Sequence, residues 1–319
     1  MLPRPAHLRP LLLLGVLALL GTSPALGATP SVRVLGIAQD GGLPHAACRC
    51  DRCEAARTDP ARASGVSSLA LIAPKAGKVY LMDAAPEITA QLNLLDDVRK
   101  PPMGKVDRSP IDGVLLTHAH MGHYLGLSYL GFEAVSTKGV PVWASERMGA
   151  FLRDNGPWSQ LVSQKNIRLE RATPETPFTL DGDLKVTPFL VPHRDEYTDT
   201  LGYRVDGPNR SLVYIPDTAP WRKWKAPLKD RLKGVDVALL DATFYSGDEL
   251  PGRDLSRIGH PLVVDTMDLL QDRVKAGTLE VYFIHLNHSN PALAPDSAAR
   301  KEIQKRGFHV ARVGQDIPL

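Results

Sequence analysis

Thr117-His118-Ala119-His120-Met121-Gly122-His123 follows directly on the apolar run Gly113-Val114-Leu115-Leu116. That run reads as a short buried strand, so the histidine-rich heptad leaves the end of a strand. Three imidazoles between positions 118 and 123 make a poor core. A neutral ring is costly to bury without a partner, and protonated neighbours repel one another below about pH 6.5. The same crowding becomes useful if a cation sits between the rings, because each ring then offers a nitrogen lone pair. A solvent-exposed His-rich loop with no ligand is the plain alternative, and the rest of the chain speaks against it.

Working outward, apolar runs of four to six residues stop at a potential ligand again and again. Val79-Tyr80-Leu81-Met82 ends in Asp83, and Leu184–Phe189 leads to Val191-Pro192-His193. Ser211–Ile215 delivers Asp217, Val235–Leu240 delivers Asp241, and Leu279–Ile284 delivers His285. A lone His after a strand is usually structural. Repetition of the pattern points to ligands mounted on strand ends, the rigid support that a metal site needs.

Further strands are expected at Val32–Ile37, Ser67–Ile72, Val140–Ala144, Ile167–Leu169, Leu201–Val205 and Val310. Helices are expected over Pro86–Val98, behind His123, from Ser145, over Pro261–Val274 with His260 at its start, and over Ala298–Arg306. Gly41-Gly42 reads as a tight turn after the first strand.

Residues 1–27 have the pattern of an export signal: Arg4 and Arg9 flank a short leading region, Leu11–Leu20 is apolar, and small residues precede Ala28. The apolar stretch falls short of the roughly 20 residues that span a bilayer. A retained N-terminal anchor is the alternative. A periplasmic or secreted protein is therefore expected, with residues 28–319 forming one domain and no stable membrane association after cleavage. Cleavage takes two of the 38 basic side chains, leaving 36 against 35 acidic ones. This balance offers no electrostatic case for nucleic acid, so a small-molecule substrate is the expected partner.

All three cysteines lie in Cys48-Arg49-Cys50-Asp51-Arg52-Cys53. They cannot all pair internally, and a Cys48–Cys50 bridge would be strained. Either two form a disulfide and one stays free, or the three hold a metal that needs one more ligand. Three tryptophans, Trp158, Trp221 and Trp224, are expected in loops, where they could wall a pocket or simply pack. His45 is not expected to be a ligand, and Arg194 is expected to be exposed.

The order His118-x-His120-x-x-His123, then His193, Asp217 and His285, resembles the metallo-β-lactamase-fold hydrolases over essentially the whole mature chain. Gly-Gly-x-Pro followed by Cys48-x-Cys50-x-x-Cys53 is similar to two branches, coenzyme PQQ biosynthesis protein B and the phosphoribosyl cyclic phosphodiesterases. The ending His285-Leu286-Asn287-His288-Ser289-Asn290-Pro291 resembles the PQQ branch especially. The resemblance implies an α/β protein, a four-layer αβ/βα sandwich with its site at the edge of two packed sheets. It implies one metal on His118, His120 and His193, and a second on His123, Asp217 and His285 with Asp217 bridging.

Asp83 is then a candidate acceptor for a ligand N–H, fixing its tautomer. His260 is a candidate for proton delivery or substrate contact, with helix capping as the alternative. By the same resemblance Cys48, Cys50, Cys53 and His288 hold a structural zinc, His260 being the rival for the fourth place.

The usual motif is His-x-His-x-Asp-His, and here the Asp position is Gly122. This departure leaves open one or two cations in the active site. The implied activity is that of a hydrolase using a zinc-activated hydroxide on an ester, phosphodiester, lactone or lactam. The alternatives are an iron-dependent oxygenase like the PQQ protein, with iron or manganese in the site, and a metal-binding protein without catalysis.

Overall fold

A strand buried on both faces carries no polar alternation, and Leu69-Ala70-Leu71-Ile72 shows what that means here. Leu69 and Leu71 belong to one apolar cluster and Ala70 and Ile72 to another, all buried. The computed structural model describes residues 29–99, 109–181, 184–249 and 259–319. The export signal expected over residues 1–27 lies outside them.

The first sheet contains β1 (Ser31–Gly36), β2 (Ser68–Ala73), β3 (Lys78–Met82), β4 (Gly113–Leu115), β5 (Val140–Ala144) and β6 (Ile167–Arg171) in chain order, with a late strand, β14 (Asp316–Pro318), outside β1. The second contains β7 (Phe178–Leu180), β8 (Leu184–Val191), β9 (Thr200–Asp206), β10 (Ser211–Ile215), β11 (Val237–Asp241), β12 (Glu280–Ile284) and β13 (His309–Val310) in order. Each sheet begins antiparallel and continues parallel: β3 to β6 run together, as do β10 to β13.

Helices cover both outer faces. Against the first sheet lie α2 (Ile88–Asn93), α3 (Met121–Tyr124), α4 (Glu146–Asp154) and α5 (Trp158–Ser163), whose Ile88, Met148, Leu152 and Leu161 are buried. Against the second lie α6 (Leu228–Arg231), α7 (Val263–Lys275) and α8 (Ala298–Lys305), through Leu228, Val263, Met267, Leu270 and Ile303. The inner faces of the two sheets share the larger cluster, so the layers run helix, sheet, sheet, helix. This is the expected four-layer sandwich. One further helix, α1 (Asp51–Thr58), carries Cys53 beside β1's exit. Among the described residues no helix is long and apolar enough to cross a membrane.

Strand register decides where the strand-end ligands go. Met82 pairs with Leu115, which sets Asp83 beside the start of the His heptad. Ile215 pairs with Leu240, and Asp241 with Ile284, so Asp217, Asp241 and His285 leave neighbouring strands at one edge. A crevice beyond the carboxyl ends of parallel strands is where α/β sheets bind ligands. Tyr203 of β9 clamps the sheets there, its hydroxyl donating to the Leu116 carbonyl at 2.6 Å. The Leu201 amide donates to the Thr117 carbonyl at 3.0 Å.

Several local expectations need correction. The helix foreseen over 86–98 ends at Asn93, because Arg33 takes the Leu94 carbonyl at 2.8 Å and pairs with Asp97. The adjacent Asp96 and Asp97 are also poor helix formers. Trp158 opens α5 instead of lying in a loop, and packs on Tyr124 and Phe151. Trp221 and Trp224 pack against the large cluster, their indole N–H groups donating to the Thr266 and Thr218 hydroxyls.

Candidate metal centre

His118 and His120 occupy the turn after β4, and His123 follows inside α3. His193 comes from the loop after β8, Asp217 from the loop after β10, and His285 directly after β12. The fold brings all six together. Asp217 stands in the middle, with Oδ2 3.3 Å from His118 Nε2, 3.6 Å from His120 Nδ1 and 3.0 Å from His193 Nε2. His193 Nε2 is 3.1 Å from His120 Nδ1. Donors about 2.0–2.1 Å from one tetrahedral ion lie ~3.3 Å apart. These four separations match edges of a tetrahedron of the size a divalent ion requires.

The same Oδ2 of Asp217 is 3.9 Å from His123 Nε2 and 3.9 Å from His285 Nε2. The Nε2 atoms of His118, His123 and His285 and Oδ1 of Asp217 are buried without a hydrogen-bond partner. A buried polar atom left unmet costs roughly 1–3 kcal/mol, so several gathered around one carboxylate need a ligand to explain them.

The far nitrogens of His118, His120, His123 and His285 are held in place, whereas His193 Nδ1 is buried without a hydrogen-bond partner. His123 Nδ1 donates to Asp83 Oδ2 at 2.8 Å, and Asp83 also accepts from the Thr117 amide at 2.8 Å and its hydroxyl at 3.0 Å. His118 Nδ1 is 2.9 Å from the Thr117 hydroxyl. His285 Nδ1 is 3.0 Å from the Thr243 hydroxyl, which in turn donates to Asp241 Oδ1 at 2.7 Å. His120 presents Nδ1 inward and sets Nε2 3.1 Å from Glu196 Oε2. Outer contacts of this kind fix ring orientation and tautomer in metal sites. Asp83 (φ +65°) and His285 (φ +62°) both sit in the left-handed region, strain that persists only where the surroundings enforce it.

His260 lies in this centre and not beside the cysteines, and it does not cap α7, whose N-cap is Leu262. Its Nδ1 is 2.9 Å from Asp241 Oδ2 and 3.2 Å from Asp217 Oδ1. Burial lowers its pKa, but Asp241 and Asp217 overcome that and push it up to about 10. The same contest takes His123 to about 9, with Asp83 the leading opponent of burial. For His118, burial wins and the ring is held well below the ordinary value. Burial would raise the Asp217 carboxyl, yet His193, His285 and His260 keep it well below the usual carboxylate range.

The second cluster lies at the N-terminal end of α1. Cys48, Cys50 and Cys53 Sγ are 3.5, 3.9 and 3.6 Å from His288 Nδ1. A tetrahedral zinc with sulfur at about 2.3 Å and nitrogen at 2.0–2.1 Å sets that edge at ~3.6 Å. Three sulfurs placed so around one nitrogen fit a shared ion, and all three cysteines are free of disulfides. His45 packs its ring 4.5 Å from His288, and its amide donates to Cys53 Sγ at 3.3 Å. Arg194 is exposed and pairs with Glu196 at 3.5 Å.

Two residues at the centre had no role in the sequence reading. Asp241 was legible as a strand-end carboxylate, but only coordinates show it orienting His260 and Thr243. Asp40 was hidden in the stretch read as a Gly-Gly turn. Its Oδ1 stands 3.7 Å from His123 Nε2, and with His123 and His285 it forms a third donor group.

The Beta-lactamase superfamily domain matches residues 78–286, and the chain belongs to that superfamily, in its metallo-β-lactamase fold. Within the superfamily it is similar to coenzyme PQQ synthesis protein B. The Rhodopseudomonas palustris protein of that name is 29% identical over 314 residues, spanning 90% of this chain and 99% of its own. The Azotobacter vinelandii protein is 31% identical over 316 residues with the same coverage. Among solved structures, zinc-bound PqqB from Methylobacterium extorquens has a TM-score of 0.77 at 26% identity, covering 91% of this chain and 100% of that one. A diphosphatase of the PhnP family has a TM-score of 0.64 at 22% identity, over 91% and 97% of the two chains.

Proposed function

We propose that this chain is an exported metal-dependent hydrolase acting on an ester, phosphodiester, lactone or lactam. The observation that carries the reading is the set of donor atoms around Asp217, spaced as tetrahedral edges, with His118 Nε2 among them buried and otherwise unmet. His118, His120, His193 and Asp217 would hold a cation, most simply zinc. Such a cation supplies a Lewis acid and lowers the pKa of water toward neutrality.

The chain's own residues prepare the rest. Asp83, Thr117 and Thr243 fix the rings so that lone pairs face inward. His260, anchored at Nδ1 by two carboxylates, keeps Nε2 as its free end and holds a proton for a leaving group. The burial of His118, His123, His285 and Asp217 keeps bulk water from competing for these groups.

A second reading is an iron-dependent oxygenase, since His and carboxylate donors also suit Fe(II). Elemental analysis of the purified chain, with a panel of chromogenic esters, phosphodiesters and β-lactams, separates the two. Zinc with turnover of one panel member, lost in His118→Ala, supports the hydrolase. Iron with oxygen uptake and no hydrolysis overturns it.

A further inference from the structure

Gly122 stands where a side chain cannot. A Cβ built there would lie 2.3 Å from Asp40 Oδ1, 2.9 Å from Val66 Cγ1 and 3.0 Å from Asp40 Cα. The space beside the His heptad is filled by a carboxylate that arrives from a different part of the chain. Asp40 Oδ1 accepts from the Gly122 amide at 3.1 Å, and Gln39 Nε2 donates to its other oxygen at 3.1 Å.

That placement is built in. The Leu286 amide donates to the Ile37 carbonyl at 2.8 Å, and the Gln39 amide donates back to the Leu286 carbonyl at 2.9 Å. The segment bearing Asp40 is thus tied to the one bearing His285. A turn follows at once, with the Gly42 amide on the Gln39 carbonyl at 2.7 Å and Gly42 at φ +69°.

Asp40 faces two imidazole nitrogens that have no hydrogen-bond partner, His123 Nε2 and His285 Nε2, both on wholly buried rings. One donor atom from each of the three residues lies within 4.8 Å of the others, and Asp217 Oδ2 stands 3.9 Å from the Nε2 atom of both rings.

We propose that Asp40 is the carboxylate ligand of a second cation, held with His123 and His285 and shared through Asp217 with the first. This rests on the reading of the centre as a metal site. The carboxylate absent from position 122 is supplied from the loop after β1, and the glycine is what admits it. With Asp217 between them, two adjacent cations would each keep a carboxylate that offsets charge.

The test is metal stoichiometry and affinity, read without any substrate. The purified full chain, stripped of metal, is titrated with zinc and with cobalt(II), whose thiolate charge-transfer band marks the cysteine-bound equivalent. The native chain is expected to take two equivalents outside that band. Asp40→Asn keeps an acceptor for the Gly122 amide but loses the charge, and should weaken one of the two by about 100-fold or more. The cysteine-bound equivalent reports intact folding. Should the Asn variant not fold, Asp40→Ser is read in the same way. Two equivalents retained at native affinity in the variant overturn the assignment. So does a native chain with a single equivalent at the His and Asp residues, while leaving the metal-centre reading intact. A native chain with none there removes both.

Discussion

At the cysteine cluster, three thiols from one short segment meet one imidazole from far along the chain. At the His and Asp centre, three imidazoles follow β4 and the other donors leave the ends of β8, β10 and β12. Cys50 is exposed and Cys48 only partly covered, whereas His118, His123, Asp217 and His285 are buried. The cysteine site uses four donors around one point, the closed set of a structural zinc. The His and Asp centre has more donors than one ion needs, and His123, His118 and His285 are backed by Asp83, Thr117 and Thr243, the last held by Asp241. The first arrangement ties two pieces of chain together. The second holds lone pairs ready in a rigid, dry edge.

If that division is right, damage to each site has a different signature. His118→Ala should lower kcat/KM for the best panel substrate by on the order of 10⁴-fold, the several kcal/mol that a metal supplies. Its melting temperature should move little. Cys53→Ser should do the reverse, with several kcal/mol of stability lost, a fall of about 10 °C or more. Active-site metal should remain in the folded fraction. Calorimetry alongside kinetics checks the pair, and the same signature from both variants would erase the contrast.

A smaller effect is expected at His260. Exchanging it for Gln keeps a side chain of similar reach but removes the proton, and kcat should fall about 10²-fold or more with metal content unchanged. Loss of metal in this variant would make His260 a ligand instead. Asp83→Asn should weaken the cation at His123 by about 10–100-fold, since the ring loses the carboxylate that orients it. Cysteine-bound metal should be unaffected.

The mildest effect is on pH dependence. His123 has its pKa raised to about 9, so below that pH its ring is protonated and an entering cation must displace the proton. Affinity on that side should therefore rise about tenfold per pH unit as pH increases, levelling off near 9. His118 is pushed down by burial and adds no proton competition at neutral pH, while His120, raised by Asp217 and Glu196 against its burial, adds less than His123, so the cation there should show a shallower slope. Titrations at several pH values distinguish the two halves of the centre, and equal slopes would deny it.

Much of this was legible in sequence because strand ends announce themselves: an apolar run followed by His118, His193, Asp217 or His285 is a local signal. The sandwich followed from the same runs together with a family resemblance. What escaped was set by contacts between remote segments. Asp40 looks like part of a turn until the Leu286 backbone fixes it against His123. Phe178–Leu180 and Asp316–Pro318 are too short to show a period, and exist as strands because β8 and β1 offer them edges. Helix α2 stopped early for a reason lodged in β1, at Arg33.

The most direct measurement is anomalous diffraction at the metal edge from crystals of the metal-loaded chain. A peak is expected bonded to His118 Nε2, His120 Nδ1 and His193 Nε2 at about 2.0–2.1 Å, beside Asp217 and separate from the peak at the cysteines. A signal at the cysteines alone, with the His118, His120 and His193 rings turned apart, would contradict it.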